Sequence, residues 1–92
     1  PVPHKNIWQL SLLTAIAVTD ALSQISPDTK ASVRFPNDIH LHGRKVGGIL
    51  IETLPADKSG QVIPLIGIGI NVKAAPLPPI VAVRAISLED AN

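Results

Sequence analysis

The sequence predicts an α+β fold in which a mixed, mostly antiparallel sheet is flanked by helices. Residues 7–25 place apolar side chains three or four positions apart, as one face of a helix does. Residues 45–54 and 61–72 are rich in β-branched and aliphatic residues, as strands are. Glycine, proline and aspartate cluster between these stretches and mark the turns.

Composition favours one folded domain spanning residues 1–92. Hydrophobic residues make up 46% of the chain and charged residues 16%, which is unlike a disordered segment. A net charge of +1 provides no basic surface for nucleic acid, and no apolar run is long enough for a membrane helix. We therefore expect this segment to contact neither nucleic acid nor a membrane. The absence of cysteine fits a reducing compartment, and we predict a cytoplasmic protein.

The two ends of the sequence suggest that this domain is incomplete. The chain begins with Pro1 and contains no methionine, so we expect a fragment rather than an unprocessed translation product. Near the other end, "SLED" (residues 87–90) has the form of a helix N-cap with an acidic residue three positions on. Only two residues follow it.

The elements follow one another with clear breaks. The apolar helix over residues 7–25 has one charged residue, Asp20, and we expect it to be packed on several sides. It ends at "SPDT", because Pro27 cannot continue it. We predict a short strand at 33–35 before Pro36, a turn at "PND", and a second turn at "HGR", where Gly43 can adopt positive φ. Strands at 45–54 and 61–72, joined by the loop 55–60, predict an antiparallel hairpin, which an extended linker at 74–79 follows.

The second long strand has two unlike faces. Alternation places Val62, Pro64, Ile66, Ile68, Ile70 and Val72 on one face, whereas the other face ends in Gly67, Gly69 and Asn71. Paired glycines on one face indicate that something approaches the backbone closely, and a bulge or a tightly packed helix would explain them equally. "GIGINV" lacks the third glycine and the following helix of a dinucleotide fingerprint, and "GRKVGG" is not a phosphate-binding loop.

Charge is concentrated beside another glycine pair. Lys45 comes just before Gly47 and Gly48, an arrangement suited to an anion held by a point charge and backbone N–H groups. A solvated surface lysine is the alternative. Asn37 and Asp38 follow Pro36 in a turn, where both residue types are common.

Two histidines are candidate metal ligands. His40 and His42 alternate onto one strand face, but no third ligand stands at a recognisable spacing. We predict exposed histidines and no protein-built metal site.

Together these stretches resemble a known enzyme family. "RFPNDIHLHGRKVGGILIE" (34–52), followed by "IGIGINV" (66–72), resembles the central catalytic domain of biotin protein ligases. That family's pattern reads Lys-Trp-Pro-Asn-Asp, Gly-Arg-Lys-(Leu/Val)-(Ala/Gly)-Gly-Ile-Leu-(Ile/Val)-Glu and Gly-(Ile/Ala)-Gly-Ile-Asn. The apolar helix and "ISLED" are also similar, so the resemblance covers nearly the whole chain. It implies the biotin/lipoate ligase fold, which is like that of class II synthetases.

The resemblance implies a reaction and a set of site residues. Such ligases use ATP and Mg²⁺ to convert biotin to biotinyl-5'-adenylate, then transfer biotin to a lysine of a biotin carboxyl carrier protein. The resemblance implies that Lys45 and Asp38 are catalytic, with Lys45 at the biotin carboxylate and the adenylate phosphate. The biotin-binding residues would be Gly47, Gly48, Ile49, Gly67 and Gly69. The ATP or adenylate residues would be Arg34, Asn37, Asp38, Lys45 and Asn71.

Two features depart from the family pattern. Arg34 and Phe35 replace its Lys-Trp pair, which keeps a cation and a ring but not the indole N–H. The family's Gly-Arg-Gly-Arg-x-Gly adenylate loop is absent from the sequence, so we expect the isolated chain to be inactive or nearly so. Two alternatives are a ligase-like binding module, pairing by its sheet edge with itself or a carrier protein, and a lipoate ligase.

Overall fold

The computed structural model describes residues 1–25, 27–28, 30–57, 60–73, 76, 78–82 and 84–91. Its elements alternate between short strands, one long helix and a long hairpin. In chain order they are β1 (Val2–Pro3), a 3₁₀ helix (His4–Asn6), α1 (Ile7–Ile25), β2 (Ala31–Arg34), β3 (Asp38–Leu41), β4 (Arg44–Pro55), β5 (Gln61–Ile70), α2 (Pro79–Ala82) and α3 (Leu88–Ala91).

The strands form one five-stranded sheet in the order β1-β5-β4-β3-β2. Each neighbouring pair is antiparallel. The β4–β5 hairpin runs in register from Gly47 opposite Ile70 to Pro55 opposite Val62. A single parallel bridge joins Lys45 to Ala85 among the described residues. The predicted α+β class and the predicted hairpin are therefore confirmed.

Helix α1 covers one face of the sheet and forms the core with it. Ala15 and Leu22 of this helix are buried against a cluster from β3, β4 and residue 86, namely Ile39, Leu41, Val46, Ile49 and Ile86. Each fully buried aliphatic side chain contributes about 1.5 to 3 kcal/mol. The helix was expected to be packed on several sides, yet Trp8, Leu13 and Ile16 are exposed. It buries one stripe against the sheet.

The two faces of the sheet differ in what packs against them. The face that carries the buried side chains of Ile39, Val46 and Ile49 is called here the helix face. The opposite face, which carries Gly48 and Leu50 of β4, is called the open face, and Leu50 is 62% exposed there. The outer half of the hairpin is exposed on both faces, since Leu65 and Ile66 both reach solvent.

Several boundaries differ from the sequence-based expectation. The strand predicted at 61–72 ends at Ile70, because Asn71 turns to hydrogen-bond Val46 and Leu88. The strand predicted at 33–35 lies at Ala31–Arg34. The predicted linker 74–79 includes Ala74, Ala75 and Leu77, which lie outside the described residues, and Pro79 begins α2, where proline is favoured.

The sequence predicts no strand at β1 and gives no bounds for the strand of His40, which is β3. β1 has two residues and β3 has four, and both depend on pairing with a neighbour. The helix expected at "SLED" is confirmed as α3, with Ser87 Oγ accepting the N–H of Asp90 at 3.1 Å. None of the described helices combines the length and apolar character needed to cross a membrane.

Candidate functional site

One row of residues crosses the open face of the sheet. Arg34 lies opposite Asp38, Asp38 lies opposite Gly48, and Gly48 lies opposite Gly69. Directly opposed residues in an antiparallel sheet project from the same face. The fold therefore brings four sequence-predicted site residues, from β2, β3, β4 and β5, into one line.

A β-bulge determines the direction of Lys45. Strict alternation from Gly48 would place Lys45 on the helix face. The β3–β4 register shifts between Ile39 and His40, so that Gly47 lies opposite Ile39 while Lys45 lies opposite His40. Val46 is the extra residue and is fully buried. The bulge thus supplies one more core residue and turns the lysine to the open face, a common use of bulges near active sites.

The Lys45 side chain extends over Gly48 toward a carboxylate. A Cβ atom added to Gly48 would lie 3.5 Å from both Cε and Nζ of Lys45. Nζ lies 3.3 Å from Oδ1 of Asp38. The two side chains are 50% and 39% exposed, so solvent screens the pair and it contributes at most about 1 kcal/mol to stability. The ammonium is held at the site yet remains accessible to an anionic ligand.

The four glycines near Lys45 differ in what surrounds them. A Cβ atom at Gly47 would collide with the backbone oxygen of Gly69 and lie 2.8 Å from Cδ1 of Ile70. Packing within the protein therefore requires glycine at this position. At Gly69 an added Cβ would meet no described atom within 4 Å, and at Gly67 only ordinary contacts with Leu50. The internal-packing alternative explains Gly47 but not Gly67 or Gly69.

An open depression of about 540 Å³ joins these residues. Every sequence-predicted site residue except Arg34 lines it. Ile49 lines it although its side chain is buried on the helix face, so its contribution there is from the backbone. Leu50 and Ile68 also line it and were not predicted. Leu50 could have been found by counting two residues from Gly48 along the strand.

The two asparagines hold the edges of the depression. The carbonyl oxygen of Asn37 accepts the N–H of Ile49 at 2.8 Å. Nδ2 of Asn71 donates to the carbonyl oxygen of Ile86 at 3.2 Å. Both residues thus have structural hydrogen bonds besides facing the depression, and their contact with a nucleotide remains a prediction.

The two histidines lie in different settings. His40 belongs to β3, whereas His42 lies in the following turn with φ of 50° and its Nε2 is 3.3 Å from the carbonyl oxygen of Ala91. The expectation that they share one strand face is wrong, because the chain turns after Leu41. Within the described ranges, no three histidine or acidic side chains gather closely enough to hold a metal ion.

Comparisons with known proteins match this chain to one family. Residues 2–71 match the model of the biotin/lipoate A/B protein ligase family. The chain is 39% identical over 69 residues to a biotin--[acetyl-CoA-carboxylase] ligase of Paracoccus denitrificans, covering 74% of this chain. It is 36% identical over 75 residues to the bifunctional ligase/repressor BirA of Bacillus subtilis, covering 82% of this chain. It spans only 28% and 22% of those two relatives.

Solved structures show the same fold. The apo biotin protein ligase of Aquifex aeolicus superposes with a TM-score of 0.74 at 35% identity, over 94% of this chain and 36% of that protein. The same ligase in complex with biotin and ATP superposes with a TM-score of 0.71 at 32% identity, over 94% of this chain and 34% of that protein. The chain therefore belongs to the biotin/lipoate A/B protein ligase family.

Proposed function

We propose that this chain carries the lysine side of the active site of a biotin protein ligase. The enzyme would form biotinyl-5'-adenylate from biotin and ATP and transfer the biotinyl group to a lysine of a biotin carboxyl carrier protein. The observation that carries the proposal is the bulge that directs Lys45 across Gly48 onto the open face, next to Gly67 and Gly69. The related Aquifex aeolicus ligase was solved in complex with biotin and ATP.

Lys45 is the proposed catalytic cation. In the first step, a carboxylate oxygen of biotin bonds to the α-phosphorus of ATP and pyrophosphate leaves. Negative charge builds on the phosphate oxygens, and an ammonium fixed nearby stabilises it. In the second step, the carrier amine attacks the acyl carbon, loses a proton, and AMP leaves. Asp38, whose Oδ1 lies 3.3 Å from Nζ, holds the ammonium in place and is the proposed second catalytic group.

The glycine surface is the proposed biotin-binding floor. Gly48, Gly67 and Gly69 present backbone without side chains on the open face, and Leu50 adds an apolar edge. A flat bicyclic ring can approach such a surface closely. Gly47 and Ile49 support it from beneath, the first by close packing on β5 and the second from the core.

ATP and Mg²⁺ are the proposed cosubstrate and metal. Asn37, Asp38 and Asn71 line the depression beside Lys45, and Arg34 lies one strand further along the row. Mg²⁺ usually binds through one or two carboxylates together with substrate phosphates. Asp38 is the one carboxylate among the described residues lining the depression, which suits a metal held mainly by ATP.

The isolated chain is proposed to be inactive. Residues 1–92 share one sheet and one hydrophobic cluster and are proposed to form one unit of an incomplete catalytic domain. The sequence contains no Gly-Arg-Gly-Arg stretch, so it lacks that source of cations for the phosphates. The depression is also open, and an open site leaves charges exposed to water.

A chimera tests the proposal. The part of the Aquifex aeolicus ligase that superposes on this chain would be replaced by this chain, and biotin transfer to a carrier protein would be measured. We expect a transfer activity that depends on biotin and ATP. Lys45→Ala in the chimera should reduce it by about 100-fold or more, as removal of one charge-stabilising donor does. The matched control Leu13→Ala, at a side chain that is 63% exposed on α1, should retain activity.

A folded chimera without activity would contradict the proposal and favour a binding module. One observation supports that second candidate. Within the described chain, β1 pairs only with residues 61–62 of β5, so residues 63–70 present an unpaired strand edge. Such an edge can pair with a second copy or with a carrier protein. A concentration-dependent dimer in sedimentation, together with the inactive chimera, would support this role. Transfer of lipoate instead of biotin would identify the other alternative, a lipoate ligase.

A further inference from the structure

The backbone of the bulge is held by residues from outside the β3–β4 hairpin. The N–H of Lys45 donates to the carbonyl oxygen of Arg84 at 2.7 Å, and the N–H of Ile86 donates to the carbonyl oxygen of Lys45 at 2.9 Å. These two bonds form the parallel bridge between Lys45 and Ala85. Residues 84–88, called here the clamp segment, therefore hydrogen-bond both the N–H and the C=O of Lys45.

The same segment is tied to the end of β5. The N–H of Asn71 donates to the carbonyl oxygen of Val46 at 2.8 Å, and the N–H of Leu88 donates to the carbonyl oxygen of Asn71 at 2.8 Å. Nδ2 of Asn71 adds the bond to Ile86. Lys45, Val46, Asn71 and the clamp segment thus form one closed set of hydrogen bonds around the bulge.

The clamp segment is itself anchored in the protein. Ile86 belongs to the hydrophobic core, and Ser87 is buried. Ser87 Oγ accepts the N–H of Asp90 and begins α3. The segment is anchored in the core at Ile86 and at the start of α3. It can therefore hold in place the residues to which it hydrogen-bonds.

Support for the bulge matters because a β3–β4 pairing without the bulge would misplace Lys45. Without the extra residue, the β3–β4 pairing would shift by one position, and a shift of one residue moves side chains to the opposite face. Lys45 would turn to the helix face and Val46 would leave the core. The hydrogen bonds to the N–H and the C=O of Lys45 oppose this shift.

We propose that the clamp segment is the positioning element for Lys45, and that Leu88 is a positioning residue acting through Asn71. The N–H of Leu88 closes the hydrogen-bonded set, which keeps the lysine ammonium over Gly48. The consequence for ligand binding rests on the proposed function. The consequence for the bulge itself does not.

Two substitutions at one position separate the hydrogen bond from the side chain. Leu88→Pro removes the N–H that donates to Asn71, and proline is well tolerated there because Leu88 is the first residue of α3. Leu88→Ala keeps the N–H and also shortens the side chain that packs against the core. The difference between the two variants therefore reports the bond.

The first measurement is amide hydrogen exchange in the ligand-free chain. We expect the Lys45 and Ile86 amides to exchange about 2- to 10-fold faster in Leu88→Pro than in Leu88→Ala, the range set by one hydrogen bond. The amides of Ile51 and Ile66, which are paired in the β4–β5 hairpin away from the bulge, should exchange equally in both variants. Equal exchange at Lys45 in the two variants would overturn the proposal.

The second measurement is the affinity for a non-hydrolysable biotinyl-adenylate analogue. Leu88→Pro should bind it about 2- to 10-fold more weakly than Leu88→Ala, and this difference should vanish when both also carry Lys45→Ala. A difference that persists without Lys45 would show that Leu88 acts by another route and overturn the positioning role. If the unsubstituted chain does not bind the analogue, its open face is not a ligand site in the isolated chain, and the exchange measurement alone decides the role of the clamp segment.

Discussion

Replacing each of two glycines with alanine tests whether glycine serves packing at one position and a ligand at the other. Gly47 and Gly69 lie close together on neighbouring strands. An added methyl group at Gly47 would collide with the backbone oxygen of Gly69 and lie 2.8 Å from Cδ1 of Ile70. Carbon atoms in contact prefer about 3.5 to 4.0 Å, so the β4–β5 pairing would have to shift. At Gly69 the methyl group would meet no described atom within 4 Å.

The expected energies follow from these contacts. Overpacking of this kind costs about 1 to 3 kcal/mol, so Gly47→Ala should lower the free energy of unfolding by that amount. Gly69→Ala should change it by no more than about 0.5 kcal/mol. In urea, with a slope of about 1 kcal/mol/M, the midpoint for Gly47→Ala should fall by roughly 1 to 3 M while that for Gly69→Ala stays near the original.

Ligand affinity, unlike stability, should be sensitive to the substitution at Gly69. Gly69→Ala leaves a folded protein with a methyl group on the proposed biotin floor, and binding of a biotinyl-adenylate analogue should weaken by about 1 to 3 kcal/mol. Equal urea midpoints for the two variants would refute the distinction between the glycines. Undiminished binding by Gly69→Ala would refute its place in the floor.

Three further predictions concern stability. Ile39→Ala should lower the free energy of unfolding by about 2 to 5 kcal/mol, because Ile39 is fully buried. Leu13→Ala, at an exposed side chain, should change it by less than about 0.5 kcal/mol. Urea unfolding measures both values, and equal losses would place the core elsewhere. Lys45→Ala should cost at most about 1 kcal/mol in thermal unfolding, since its ion pair is half exposed, and a larger loss would contradict the account of an accessible ammonium. Ser87→Ala should cost about 0.5 to 2 kcal/mol by removing the cap of α3, and a Ser87→Thr variant that fails to restore stability would argue against capping as the cause.

Local patterns predicted the long elements well. The apolar spacing of residues 7–25 identified α1 at its observed bounds, and alternation with turn residues identified the β4–β5 hairpin. Gly43 adopts the predicted positive φ. The short strands β1 and β3 could not be delimited from the sequence, because they are too brief to show a period and are stabilised by pairing with neighbouring strands of the sheet.

Most of the residues that line the depression were predicted, but their arrangement was not. Motif resemblance found nearly all the residues that line the depression. It could not distinguish Gly47, which packing requires, from Gly69, which is open, because that difference depends on the neighbouring strand. Nor could alternation find the bulge: a strict period of two directs Lys45 to the wrong face. The hydrogen bonds from residues 84–88 depend on tertiary contact and leave no local signal.

Calorimetric titration of the chain tests the central claim most directly. The ligands are a non-hydrolysable biotinyl-adenylate analogue and its lipoyl counterpart, added to the unsubstituted chain and to Lys45→Ala. We predict binding of the biotinyl analogue in preference to the lipoyl one, weakened by about 1.5 to 3 kcal/mol when Lys45 is removed, as for a hydrogen bond to a charged group. No binding by a demonstrably folded chain, or binding that Lys45→Ala leaves unchanged, would contradict the claim that the open face is the ligand site.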